Sequence, residues 1–229
     1  MEGCLYPVGT PIGNLKDITL RALEVLKGVD LIASEDTRRT RKLLSHYGIH
    51  TSLISFYEHN ELKRIPYIIK QIKEGKSIAI VSNAGMPGIS DPGCSLIKEA
   101  VKEGLRIVPV PGPTALISAL VSSGFSTNEF VFEGFLGRKK SMRLNRLKRL
   151  KDEERTIIIY EAPHRIKKIL PEIKQILGDR RIAVGREITK KFEEILRGRV
   201  GEIEKLFEKR RPQGEFTLVI EGEKVPRNS

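Results

Sequence analysis

Ser77-Ile78-Ala79-Ile80-Val81, followed at once by Ser82-Asn83-Ala84-Gly85-Met86-Pro87-Gly88-Ile89-Ser90-Asp91-Pro92-Gly93, is an apolar run that breaks into a loop of twelve residues holding three Gly and two Pro. Five residues, four of them apolar and three β-branched, bounded by turn formers are the length of a buried strand and too short for a helix. A loop of that length inside a compact domain is rarely a mere connector, so ligand contact is expected there. Working outward, Leu5 to Val8, Val29 to Ala33, Ser52 to Phe56 and Arg106 to Val110 read as further strands, each running into residues rich in Gly, Pro, Asn or Asp. Helical segments separate them at the spacing of βα units, which predicts an α/β lobe from Leu5 to about Gly124. Asp91 is expected to cap one helix, with Pro92 in its first turn and Gly104 beyond its last, and Pro113 to open another that stops near Gly124.

Ser122 to Asn128 reads as a linker, which puts the lobes at residues 1–121 and 122–229. The second half reads as a strand (Phe130 to Glu133), a basic helix (Arg138 to Lys151), a strand (Thr156 to Tyr160), a helix (Pro163 to Leu177) and a strand (Arg181 to Val184). Two or more strands follow, ending with Glu215 to Glu221, so the second lobe is also mixed α/β. The tail Pro226 to Ser229 reads as frayed.

The chain has 229 residues, 39% of them apolar and 31% charged, which suits a soluble protein of one large or two small domains. Met1 to Leu5 shows no basic segment leading into a long apolar run, and no stretch of about 18 apolar residues occurs, so secretion and membrane spanning are both disfavoured. Cys4 and Cys94 are the only cysteines and give no disulfide framework, which points to a reducing cytoplasm. His46, His50 and His59 form no convincing cluster with them, because Gly48 breaks the helical spacing of the first two; no metal is expected. With 41 Lys+Arg against 29 Asp+Glu the formal charge is +12, and nucleic acid is the first candidate partner.

Two more strand ends carry suspicious loops. Gly9-Thr10-Pro11-Ile12-Gly13-Asn14 permits close backbone approach, yet it has neither the glycine spacing of the dinucleotide fingerprint nor the Lys-Ser/Thr pair of a phosphate loop. Pro109-Val110-Pro111-Gly112-Pro113-Thr114-Ala115 enters a helix whose first N–H groups are candidates for an anionic or polar ligand.

In order and wording these loops resemble the tetrapyrrole methylase superfamily, most closely its ribosomal small-subunit RNA cytidine 2′-O-methyltransferase branch. The other matching stretches are Glu35-Asp36-Thr37-Arg38, Glu133-Gly134-Phe135-Leu136, Tyr160-Glu161-Ala162-Pro163-His164-Arg165, Arg186-Glu187-Ile188-Thr189-Lys190 and Gly214-Glu215-Phe216, so the resemblance covers nearly the whole chain. It implies a two-lobed α/β fold distinct from the common Rossmann methyltransferase, a homodimer, and S-adenosylmethionine bound in the cleft between the lobes. Carried over by position, cofactor contacts fall on Pro11, Ile12, Gly13, Asn83, Ala84, Gly85, Ile89, Thr114, Ala115, Tyr160 and Glu161. The implied reaction is 2′-O-methylation of a cytidine in 16S rRNA, on naked RNA or the small subunit. The family usually reads Asp-Ala-Gly-Thr-Pro where this chain has Asn83-Ala84-Gly85-Met86-Pro87, so a carboxylate and a hydroxyl are missing beside the cofactor.

Methyl transfer from a sulfonium needs no metal, but a ribose hydroxyl must lose its proton. Glu35 and Asp36, just past a strand end, are candidates for that step or for helix capping. His164 is the right type for a base, and Lys190 for phosphate binding, for steadying an alkoxide, or for a surface salt bridge. RNA contacts are expected at Arg38, Arg138, Lys139, Lys140, Arg165 and Arg186. Eight basic residues lie between Arg138 and Lys151 beside an apolar seam of Leu144, Leu147 and Leu150. Phe56, Tyr57, Phe135 and Tyr160 offer stacking faces, although core packing accounts for most such rings. A tetrapyrrole methyltransferase of the same fold, and a non-catalytic RNA-binding assembly factor, are the competing readings.

Overall fold

The computed structural model describes residues 3–223; the tail read as frayed lies outside them. The chain divides into two compact units between Thr114 and Ala115.

In the first unit, β1 (Cys4–Pro7), β2 (Leu31–Ser34), β3 (Leu53–Ser55), β4 (Ser77–Val81) and β5 (Arg106–Ile107) build one parallel sheet in the order β3-β2-β4-β1-β5. Its helices are α1 (Leu20–Gly28), α2 (Thr37–His46), α3 (Glu61–Lys73) and α4 (Cys94–Lys102). Alternate residues of β4 point to opposite faces, and both faces are covered. Ile78 and Ile80 pack with Ile68 and Ile72 of α3 and Leu96 of α4, while Ala79 and Val81 pack with Leu26 of α1 and Leu44 of α2. Burial on both sides is why the strand is apolar without alternation.

Three of the boundaries that differ from the sequence reading have a local cause. β5 stops at Ile107 because Pro109 and Pro111 have no N–H to continue a ladder, and only an isolated bridge joins Val8 to Val110. β2 begins at Leu31 because the Val29 N–H closes α1 on the Val25 carbonyl at 3.0 Å. α4 begins at Cys94, not at Asp91-Pro92: its N-cap is Gly93, at φ 131°, a conformation that an L side chain rarely adopts.

In the second unit, β6 (Phe130–Phe135), β7 (Thr156–Glu161), β8 (Arg181–Arg186), β9 (Glu194–Arg199) and β10 (Phe216–Ile220) form a mixed sheet in the order β6-β7-β10-β8-β9. Among these described strands only β6 and β7 run parallel to each other as neighbours. β6 continues two residues beyond the expected Glu133 through a register shift between Phe132 and Gly134, where Gly134 adopts φ 62°. α6 (Lys140–Arg149), α7 (Ile166–Leu177) and α8 (Val200–Lys209) cover one face through Leu147, Ile169, Ile173 and Phe207.

α5 (Ala115–Ser123) covers the other face, with Leu116, Ala119 and Leu120 against Ile158, Ala183 and Val219. Burying the two leucines contributes about 1.5–3 kcal/mol each, and this ties the helix to the second sheet. The division therefore falls seven residues before the expected boundary after residue 121. Ser122 to Asn128 is no linker, since α5 and β6 on either side of it belong to one unit.

Candidate active site

In the first sheet β4, β1 and β5 are adjacent, so the loops that leave their carboxyl ends are neighbours. Thr10 and Gly85 exchange two backbone hydrogen bonds, at 2.9 and 3.0 Å, and the Thr10 hydroxyl donates to the Ser82 carbonyl at 3.2 Å. On the other side the Gly9 N–H donates to the Val110 carbonyl at 3.1 Å, and Gly9 meets Gly112 backbone to backbone. A Cβ on Gly112 would lie 2.8 Å from the Gly9 Cα, too close for any real side chain. Ile12, buried, and the Pro113 carbonyl flank Gly85. Of the expected cofactor contacts, Pro11, Ile12, Asn83, Ala84 and Gly85 thus fall in one cluster, with Gly13 exposed at its edge, while Ile89 is exposed farther along the β4 loop.

The acidic pair past β2 supports this cluster. Glu35 accepts the backbone N–H of Asn83 at 3.1 Å, which anchors the loop after β4. Asp36 is the N-cap of α2 and accepts the N–H groups of Arg38 and Arg39 at 2.9 and 3.4 Å. Those amides hold its carboxyl below the usual carboxylate range, which suits a cap and makes a poor proton acceptor. Arg38 is exposed on the same helix.

In the second unit, Tyr160 on β7 is fixed at both ends. Its hydroxyl accepts the Leu116 N–H at 3.1 Å, and its ring packs edge-on to Phe132 at 4.9 Å and tilted to Phe135 at 5.6 Å. The start of α5 therefore gives one of its free amides to Tyr160. Glu161 is buried: Oε1 accepts the Ala162 N–H at 2.8 Å and faces the Arg165 Nε at 3.0 Å. Burial pushes its carboxyl up, against the lowering pull of Ala162, Arg165 and Arg143. Arg165 is consequently an internal strut, whose Nη2 also donates to the Leu136 carbonyl at 2.7 Å, not the free RNA contact expected of it. His164 beside it is exposed.

Lys190 sits in a strained turn where Glu187 and Thr189 adopt φ 50° and 68°. Its Nζ donates to Glu187 Oε1 and Glu215 Oε2, both at 2.9 Å. Burial opposes the charge on Lys190, but the two carboxylates outweigh it and raise the pKa, so the ammonium is no base at neutral pH. Arg186 spends its Nε on the Gln213 carbonyl at 2.7 Å. In α6 the cationic face is smaller than the sequence suggests. Arg143 is buried and bidentate to Glu172 at 2.7 and 2.8 Å, and Arg146 pairs with Glu133, while Arg138, Lys139 and Lys140 are exposed. Spacing alone conceals this, because Arg143 occupies a core-facing position one turn before Leu147.

Of the three buried acceptors without a protein hydrogen-bond partner among the described residues, Asp17 Oδ2, Asn83 Oδ1 and Glu161 Oε2, the last two lie one in each unit and on expected cofactor residues. Orphaned buried acceptors call for an N–H or O–H donor from elsewhere.

The model of the tetrapyrrole (corrin/porphyrin) methylases matches residues 4–204. The chain belongs to this family. It is 52% identical over 220 residues to the ribosomal RNA small subunit methyltransferase I of Thermotoga maritima, covering 96% of this chain and 99% of that protein. The Bacillus subtilis protein of the same name is 50% identical, with 96% and 75% covered. A crystal structure of diphthine synthase shares the fold at TM-score 0.74 and 13% identity, over 97% of this chain and 91% of that one. The fold is thus that of the tetrapyrrole methylases, distinct from the Rossmann methyltransferases.

Four variants check this geometry. Gly112→Ala should destabilise the first unit by about 1–3 kcal/mol, read as a lower melting temperature. Arg143→Met should cost about 3–5 kcal/mol by stranding Glu172, and Arg143→Met with Glu172→Leu should recover most of that. Glu187 titrates below the ordinary carboxylate range, because its bonds to Lys190 and the Glu215 N–H outweigh its burial. Its contribution is then complete above the unfolded value of about 4.3 and lost as pH falls through the lowered one. Urea midpoints of wild type and Glu187→Gln should differ at neutral pH and converge in acid.

Proposed function

We propose that this chain is an S-adenosylmethionine-dependent methyltransferase that acts on the RNA of the small ribosomal subunit, at the ribose 2′-hydroxyl of a cytidine. The observation that carries this reading is the 52% identity, over almost the whole of both chains, to a ribosomal RNA small subunit methyltransferase. A formal charge of +12 agrees with an RNA substrate.

The residues fit the cofactor. The backbone contact between Gly9 and Gly112, which a Cβ on either would break, fixes the loops beside Gly85, and Asn83 Oδ1 offers a buried acceptor. On the first unit the proposed contacts are Pro11, Ile12, Gly13, Asn83, Ala84, Gly85, Ile89 and Thr114; Ala115, Tyr160 and Glu161 are assigned by family resemblance. When bound, the cofactor supplies an electrophilic methyl group on a sulfonium. Glu35 holds the Asn83 loop in place and Asp36 caps α2, so we give both a positioning role. His164, exposed and next in chain to the β7 loop, is the proposed proton acceptor for the 2′-hydroxyl. Lys190 keeps its proton and is suited to steadying negative charge on the attacking oxygen. The substrate is expected in the cytoplasm, and the working form is expected to be a homodimer.

The test is methyl transfer from labelled cofactor to naked 16S rRNA, to small subunits and to a tetrapyrrole precursor. Label should enter RNA only and protect one phosphodiester from alkaline cleavage; label in a base or in the tetrapyrrole overturns the reading. His164→Ala should lower kcat by about 10²–10⁴ and leave cofactor affinity intact.

A further inference from the structure

Phe135 ends β6 and is 56% exposed, although large apolar side chains next to a core usually turn inward. Its ring packs tilted against that of Tyr160, with the centroids 5.6 Å apart. The next residues, Leu136-Gly137-Arg138, have all three carbonyls drawn inward by arginines. Arg165 Nη2 takes those of Leu136 and Gly137, at 2.7 and 3.4 Å, and Arg143 Nη1 takes that of Arg138 at 2.7 Å. Each arginine is in turn held by a buried carboxylate, Glu161 for Arg165 and Glu172 for Arg143. Two buried ion pairs are a costly way to stabilise a loop, since desolvation offsets most of the Coulombic gain. What they provide is position. With the backbone pinned from inside, Phe135, Arg138, Lys139 and Lys140 are all left exposed.

From this arrangement we infer that Phe135 is a stacking platform for an unpaired RNA base, with Arg138, Lys139 and Lys140 holding the adjoining phosphates. A fixed, exposed ring beside three consecutive cations is the combination by which single-stranded nucleic acid is gripped without base-edge readout. A second copy of the chain is the weaker occupant, because a twofold contact through this patch would bring two sets of three cations together. The inference rests on the RNA reading above and adds where an unpaired nucleotide is held. Arg165 and Arg143 are positioning residues, acting through the loop carbonyls.

The test measures affinity of the full-length protein for a single-stranded oligoribonucleotide carrying 2-aminopurine, over a salt series. Phe135→Leu keeps apolar contact with Tyr160 but loses the aromatic face. It should weaken binding roughly five- to 150-fold at every salt concentration and abolish the quenching of 2-aminopurine, while Phe135→Trp should retain both. Arg138→Gln, Lys139→Gln and Lys140→Gln together should leave the quenching and make the salt dependence shallower by about 0.7 for each phosphate no longer neutralised. Arg165→Lys, which keeps the charge but not the planar fork, should reduce quenching at unchanged salt slope. Equal binding by wild type and Phe135→Leu overturns the platform and leaves the RNA reading standing. A change of sedimentation coefficient in Phe135→Leu without a change in RNA affinity overturns it in favour of self-association. No RNA binding by the wild type overturns both.

Discussion

The backbone contact between Gly9 and Gly112 governs the first unit. A parallel sheet in which β4, β1 and β5 are neighbours delivers three loops to one end, but delivery alone does not make them a site. They become one because β1 and β5 approach closely enough that neither glycine has room for a side chain, and because Thr10 and Gly85 satisfy each other's amides on the opposite flank. Loops whose polar backbone is already paired stay fixed without a ligand. Their remaining valences, above all Asn83 Oδ1, are then available to one. Glu35 extends the same logic from β2, clamping the Asn83 amide from a third strand end.

The second unit solves a related problem with charge. Its loop after β6 has no partner strand on one side, since β6 is the edge of the sheet. The carbonyls of residues 136–138 are satisfied instead by Arg165 and Arg143, whose guanidinium groups suit this because each presents several donors in a rigid fork. A lysine in either place would satisfy fewer acceptors. The buried glutamates behind them keep the arginines from turning to solvent.

Much of this is legible in the sequence, and the failures share a cause. The strand Ser77–Val81 is legible to the residue, because an apolar run buried on both faces leaves no ambiguity of period, and the loop beyond it stands out by its Gly and Pro. Asp91-Pro92 looks like a helix start from local chemistry, yet the chain needs Gly93 at a positive φ to turn into α4, and only tertiary placement demands that. Gly124 looks like a domain boundary because it ends α5; that α5 packs on strands lying later in the chain is a long-range fact with no local signature. Arg143 and Arg165 look like free cations in the sequence, although their carboxylate partners lie 29 and 4 residues away, whereas Lys190, for which a surface salt bridge is one expectation, pairs with Glu187 three residues before it and Glu215 25 residues after it.

That bias bears on how the net charge is to be understood. A formal charge of +12 invites the view that every basic cluster is a surface for polyanions, but some of the basic residues are neutralised internally: Arg143 by Glu172 and Arg165 by Glu161. Such pairs contribute nothing to the count of counterions released on binding RNA, whereas exposed cations such as Arg138, Lys139 and Lys140 contribute in full. The salt dependence of RNA binding should therefore be set by a minority of the basic residues. The paired ones influence affinity only through the shape they impose, so the exposed Arg138 before α6 and the buried Arg143 within it separate electrostatic attraction from preorganisation.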